Sequence, residues 1–500
     1  MTKLGSWKAA SAVLGLCTAT AIIAPAQTFT TLVNFDGTDG ASPYAALTQG
    51  PDGNFYGTTP SGGIVNSQCG KGSCGTAFEV TSSGMLITLY EFCSQPNCTD
   101  GYAPYEGLTL NADNDGLYGT TSLGGVDLGD AGTVFKIMPS TGLMTLYDFC
   151  TPNCESGALP STTLVNGADG YLYGATDLGG SYGTFGNLFK MTPAGNLSSI
   201  FSFDGRDGQF PNSLLQASDG NFYGTTTGGG RYNCPYSQNG CGTVFRITRT
   251  GNSNILHSFC SGSCLDGYFP TSLMQATDGN LYGTTMWGGL DGPEGLGTIF
   301  RVAQDGSFTV LYNFCSQSAC SDGIGPQTLV QGSDGNLYGT TQVGGDTTCN
   351  PGVFGGCGTV FRFTLNGVLT TLHTFEASDG AYPRGLNQAT EGNFYGITQN
   401  GGSSPSCNLG CGTVYSLDVG LDPFVTFVRA AGKVGQTGGI LGQGFTGTTS
   451  VSLNGISATF TVKSDTFIEA TVPAGATTGY VTVTTPSGTL TSNVPFRVIK

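Results

Sequence analysis

Apolar and polar residues alternate along this chain in short runs broken by glycine, a period of two that predicts many brief β-strands. Residues 29–35 form the first such run, and the following ones arrive as a set. One set comprises a short strand such as 213–218, an Asp-Gly-Asn turn, a second strand (222–226), a Gly-Gly loop of variable length, a third strand opening Gly-Thr-Val-Phe, and a fourth carrying Leu-x-x-Phe. Asp-Gly between two β-prone runs marks a hairpin, because Gly and Asn accept the positive φ of tight turns. The tyrosine of the second strand recurs at Tyr56, Tyr118, Tyr173, Tyr223, Tyr282, Tyr338 and Tyr395. Six intervals separate the first from the last, so the repeat averages about 56 residues, the length of one four-stranded sheet.

The two ends of the array are out of phase by one strand. Residues 29–35 are a fourth strand with no third strand before them, and the seventh repeat stops after its third strand at 414–417. The first strand can therefore complete the last sheet and close a ring, which removes the open edges of a linear array. The expected fold is all-β: a seven-bladed β-propeller over 27–419. A linear β-solenoid would leave the offset unexplained. Alternate connections share a face, so the Asp-Gly-Asn hairpins lie on one side. The connectors with Asp-Gly-x-x-Pro and the variable loops between second and third strands lie on the other, where a ligand is expected. From 420 to 500 the repeat disappears, and about seven short strands predict a small β-sandwich without cysteine.

Composition supports a buried core: 38% hydrophobic and 11% aromatic residues against 10% charged, with 83 glycines read as turns. A net charge of −16 argues against nucleic acid as a partner. Residues 1–26 read as a secretory signal, with Lys3 and Lys8 before an apolar run and Ala24-Pro25-Ala26 as the cleavage site. No later run is long enough to cross a bilayer. An exported chain with cysteines in close couples is expected to carry local disulfides. The couples are Cys69/Cys74, Cys93/Cys98, Cys150/Cys154, Cys234/Cys241, Cys260/Cys264, Cys315/Cys320, Cys349/Cys357 and Cys407/Cys411. None has a C-x-x-C spacing, so zinc is the weaker reading.

The repeated D-G-N-x-Y-G-T-T, G-T-V-F and L-x-x-F blocks between 52 and 415 resemble the GloVer-type tandem repeats of exported, choice-of-anchor bacterial proteins. Residues 423–500 resemble an IPT/TIG immunoglobulin-like domain through 441–445 (Leu-Gly-Gln-Gly-Phe), 451–455 (Val-Ser-Leu-Asn-Gly), Val472-Pro473 and 479–483. These resemblances imply an exported protein at the cell surface, in the periplasm or outside the cell. They bring no catalytic residue and no cofactor.

Candidate chemistry is sparse. His257 and His373 occupy the position that Tyr90, Tyr147, Phe201 and Tyr312 hold in other repeats, which favours packing over acid/base work. The aspartates of the Asp-Gly turns read as turn formers rather than calcium ligands, since no D-x-D-x-D run appears. Asp127 with Asp130, and Asp291 with Glu294, are the loop carboxylates that glycoside cleavage would need. Trp287, Tyr232 and Tyr236 lie on adjacent loops and offer aromatic platforms for stacking on a sugar. The expected function is a non-catalytic binding or scaffold module, monomeric, for a surface glycan or protein. A ligand is expected at Trp287, Tyr232, Tyr236, Asp291 and Glu294, and no metal is expected. The alternative is a carbohydrate-active hydrolase or lyase on the same scaffold.

Overall fold

A computed structural model describes residues 27–69, 72–111, 116–126, 130–138, 141–150, 154–235, 237–346, 349 and 355–499. The leader expected at 1–26 lies outside them. The fold is all-β; among the described residues only short 3-10 turns lie between strands, and no helix is long and apolar enough to cross a membrane. Among the described residues up to 418, seven antiparallel sheets follow one another, six of four strands and one whose first strand is split in two.

The fourth sheet shows the pattern: Gln209–Gln216, Phe222–Gly228, Thr243–Ile247 and Ser253–Ser258, paired in chain order. Its second strand is buried through 222–226 and its third nearly throughout, because both faces lie against neighbouring sheets. The last sheet takes Ala381–Gln388, Phe394–Asn400 and Thr413–Asp418 from the chain's end of the array and Thr28–Asn34 from its beginning, with Phe29 opposite Leu417.

Each motif has a physical reason in this arrangement. The Asp219 carboxylate accepts from Asn221 N (2.9 Å), Asn221 Nδ2 (2.7 Å) and the Tyr223 hydroxyl (2.9 Å), which fixes the hairpin. The same tyrosine-to-aspartate bond forms at Tyr56, Tyr173, Tyr282 and Tyr338. Gly224 is needed because a Cβ there would meet Ser213 O at 2.1 Å and Phe245 Cζ at 2.4 Å. The last threonine of the second strand bonds the threonine of Gly-Thr-Val-Phe, as in Thr226–Thr243 at 2.9 Å, and buried hydroxyls are satisfied in pairs. The Tyr-or-His position of the fourth strand bonds the connector aspartate: Tyr90 to Asp100 (2.7 Å), Tyr312 to Asp322 (2.8 Å), His257 to Asp266 (2.9 Å) and His373 to Asp379 (3.0 Å). Both imidazoles also stack on a phenylalanine, Phe308 and Phe29 respectively.

One joint links each repeat to the next. The residue before each connector proline takes a left-handed conformation: Ser42, Ala103, Leu159, Phe210, Phe269, Gly325 and Tyr382, with φ between 52° and 63°. Its N–H donates to the carbonyl preceding the third strand of the previous repeat, as Ala103 does to Cys74 and Phe269 to Cys241. The set closes on itself, because Ser42 donates to Cys411 of the seventh repeat at 2.8 Å. Phe55 of the first sheet stacks on Tyr395 of the last at 3.9 Å, so the first and last sheets pack as neighbours.

Eight disulfides join Cys69–Cys74, Cys93–Cys98, Cys150–Cys154, Cys234–Cys241, Cys260–Cys264, Cys315–Cys320, Cys349–Cys357 and Cys407–Cys411. All staple connectors or loops at one end of the sheets, and their number is compatible with an exported protein. Residues beyond 423 form two further four-stranded sheets around Val425, Ile440, Phe445, Val451, Ile468, Val483 and Phe496, plus a parallel pair of Ala431–Lys433 with Arg497–Ile499. This tail lies across the hairpin end of the array. Thr466 Oγ1 donates to Pro51 O (2.6 Å), Gln443 Nε2 to Thr390 Oγ1 (3.0 Å) and Arg497 Nη1 to Ser218 O (2.9 Å).

Candidate functional site

In the last four sheets the connector proline is the third residue of the first strand, and the next residue falls in a register shift. The shifts lie between Pro211 and Ser213, Pro270 and Ser272, Pro326 and Thr328, and Pro383 and Leu386. A bulge re-aims one side chain out of the sheet's alternation. In the first three repeats the segment from proline to leucine is one residue longer, and their innermost pairing shrinks to Thr48–Gln49, Thr109–Leu110 and Val165–Asn166. The residues after the seven prolines are Tyr44, Tyr105, Ser161, Asn212, Thr271, Gln327 and Arg384, and all seven line one cavity of about 670 Å³.

A second position per repeat, the residue after the last threonine of the second strand, adds Ser122, Asp177, Thr227 and Met286 to the wall. Gln342 and Gln399 reach the cavity through hydrogen bonds to Gln327 (3.4 Å) and Arg384 (3.2 and 3.1 Å). The tail covers the hairpin end, so approach is from the connector and loop end. Two more cavities, of about 450 and 300 Å³, lie between the hairpins and the tail, beside Arg429 and Arg497 and beside Thr426 and Val428 respectively.

Charge is divided within the axial cavity. Glu106 and Asp177, from the second and third repeats, stand together on one side. Burial first, and then the charge of Asp177, push the Glu106 carboxyl up to about 7, with Thr163 Oγ1 donating to it at 3.4 Å. Burial pushes Asp177 up to about 6. Near neutral pH such a pair holds fewer than two charges, and a carboxyl that keeps its proton can donate as well as accept. Arg384 lies in the seventh repeat. Its Nη1 donates to Gln327 Oε1, its Nε and Nη2 to Gln399 Oε1, and its guanidinium sits 4.5 Å over the Tyr44 ring. Burial lowers its pKa from 12.5, which still leaves a cation at any physiological pH. Tyr44 meets Tyr105 edge to face at 5.8 Å, so two rings connect the cationic side to the carboxyl side.

The residues singled out from sequence lie elsewhere. Trp287 ends the strand Leu281–Trp287 opposite Tyr268 and packs, partly buried, against the core shared by the fourth and fifth repeats. Tyr232 is 41% exposed on its loop, and Asp291 and Glu294 are exposed around the 3-10 turn Gly292–Glu294. Tyr236 and Asp127 lie outside the described residues, and Asp130 accepts from the Tyr102 hydroxyl at 3.3 Å. None of Trp287, Tyr232, Asp291 or Glu294 lines the axial cavity. Glu106, Asp177 and Arg384 were missed because each occurs once. For Arg384 the signal was variation itself: the residue after the connector proline differs between most repeats while the proline before it and the leucine after it recur, as expected where side chains meet a ligand rather than a core.

Solved structures similar to this chain include a fungal alcohol oxidase of the AA5 family in complex with copper (13% identity, covering 95% of this chain and 99% of that one, TM-score 0.48). Others are a PQQ-bound aldose sugar dehydrogenase from Streptomyces coelicolor (12% identity, 79% and 98%, TM-score 0.40) and a gluconolactonase from Xanthomonas campestris (14% identity, 57% and 78%, TM-score 0.34). At these identities and scores the likeness says nothing of activity. No curated protein sequence matches the chain significantly. The model of the Gloeobacter/Verrucomicrobia repeat matches residues 18–236 and 235–462, nearly the whole array and part of the tail. The chain therefore belongs to the Gloeobacter/Verrucomicrobia repeat family.

Proposed function

We propose that this chain is an exported binding module: a seven-bladed β-propeller over 27–419, capped on its hairpin face by an IPT/TIG-like sandwich over 420–500, that holds a glycan in its axial cavity. The observation that carries this reading is the convergence of one re-aimed, variable side chain from each of seven repeats on a single cavity of about 670 Å³. That volume suits a small saccharide, and concave sites with a few convergent polar groups and perturbed carboxyls are where ligands bind. The site thus moves from the outer loops at Trp287 to the axis, on the same end of the array. The secreted protein, screened on a glycan array, should show hits that Met286→Trp abolishes by filling the cavity and that Tyr232→Ala spares. Hits insensitive to Met286→Trp, or none at all, would contradict the reading.

A second reading is a carbohydrate-active hydrolase or lyase, favoured by the Glu106–Asp177 pair. Two carboxyls whose environments raise them toward neutral can act as acid and base. Incubating each array hit with the protein and measuring new reducing ends or unsaturated products separates the two readings.

A further inference from the structure

Arg384 is the one cation among the seven side chains that follow the connector prolines. A guanidinium carries five N–H donors. Three are engaged, by Gln327 Oε1 at Nη1 and by Gln399 Oε1 at Nε and Nη2. One donor on each Nη therefore remains for an acceptor that enters the cavity, and a carboxylate is the acceptor a guanidinium binds most strongly. Both glutamines are neutral, and no carboxylate forms an ion pair with Arg384 among the described residues. A partly buried charge without a counter-ion is costly to keep, and the two glutamines and Tyr44 hold this one in a fixed orientation. Glu106 and Asp177 do not neutralise it, since Tyr44 and Tyr105 stand between the two sides.

We propose that the axial cavity is selective for acidic saccharides of the uronate class, with the ligand carboxylate gripped by Arg384, the sugar ring against Tyr105 and its hydroxyls on Glu106 and Asp177. This deepens the glycan-binding reading and rests on it. Tyr105 is 42% exposed and gives a free aromatic surface, whereas one face of Tyr44 is taken by the guanidinium. A carboxyl that donates or accepts at nearly neutral pH is matched to sugar hydroxyls, which do both. The chain's net charge of −16 opposes an anion only at long range. Charges beyond a Debye length of about 8 Å are screened, so the contact at Arg384 decides the sign.

The test uses the full secreted chain and calorimetric titration with glucuronate, galacturonate and mannuronate oligosaccharides, their methyl esters and the corresponding neutral sugars. At least one uronate should bind, and its ester should bind about 10- to 100-fold more weakly, the loss expected for charge-assisted hydrogen bonds. Arg384→Gln should erase the difference between acid and ester while melting close to wild type, and Arg384→Lys should restore part of it. Equal affinity for acid and ester in the wild-type protein overturns the inference without any variant. So does a preference for the acid that survives Arg384→Gln. Neutral glycans bound in the cavity would leave the glycan-binding reading standing and remove this one. The absence of any glycan ligand would remove both.

Discussion

Replacing Glu106 with Gln should make the protein more stable at alkaline pH and leave it unchanged at acid pH. Glu106 is raised from 4.5 to about 7 in the folded chain, chiefly by burial and next by Asp177. A carboxyl raised on folding is favoured protonated, so ionising it opposes the fold. Below pH 4.5 the residue is protonated in both states and contributes no difference. Between 4.5 and 7 the unfolded chain ionises first and stability falls. Above 7 the full cost is present. That rise from 4.5 to about 7 corresponds to an upper figure of about 3 kcal/mol, and water in the cavity reduces it to ~2 kcal/mol. Urea unfolding of wild type and Glu106→Gln should therefore give equal midpoints at pH 4 and diverge in favour of the variant up to pH 8. Taking the difference between the two proteins cancels the titration of the carboxylates remote from Glu106 and leaves that of Glu106 with its coupled partner Asp177. A difference that does not change with pH, or one that grows in favour of wild type, would refute the placement of Glu106 beside Asp177 in a poorly solvated cavity.

Other expectations follow from the packing. Tyr223→Phe removes the hydroxyl that Asp219 accepts at 2.9 Å and should cost about 1 kcal/mol by denaturant unfolding, without changing ligand affinity. Trp287→Ala should destabilise by roughly 2 kcal/mol, because the ring packs on the core between the fourth and fifth repeats, and should spare binding; stable protein with lost binding would return the site to the outer loops. Deleting residues 28–34 bares the edge of Thr413–Asp418 and should yield self-associating protein by size-exclusion chromatography, while a monomer that melts like wild type would argue against closure through that strand.

The sheets were legible because each motif answers a local demand that recurs. Asp-Gly-Asn-x-Tyr makes a hairpin and bonds its own tyrosine, and Gly224 clears Phe245, so seven copies announce the same strands. The pairing of 28–34 with 413–418 could be expected from strand phase alone. The innermost strands were harder. One extra residue between proline and leucine shortens the pairing in the first three repeats, and no residue type announces a bulge. The cavity was invisible for a related reason. Its wall is assembled from single, dissimilar residues such as Ser161, Asn212 and Thr271, set about 50 to 60 positions apart, and only closure of the ring brings them to one axis. Trp287 drew attention as a rare aromatic near a variable loop, but rarity does not distinguish a binding ring from one that packs under its own sheet.

The most direct measurement is a crystal structure of the secreted chain soaked with the strongest glycan-array hit. One saccharide is expected on the axis, in contact with Arg384, Tyr105 and at least one of Glu106 and Asp177, with Trp287 still packed against the core of the fourth and fifth repeats. Saccharide density at the Tyr232 and Trp287 loops or on the tail, with the axial cavity filled only by water, would contradict it.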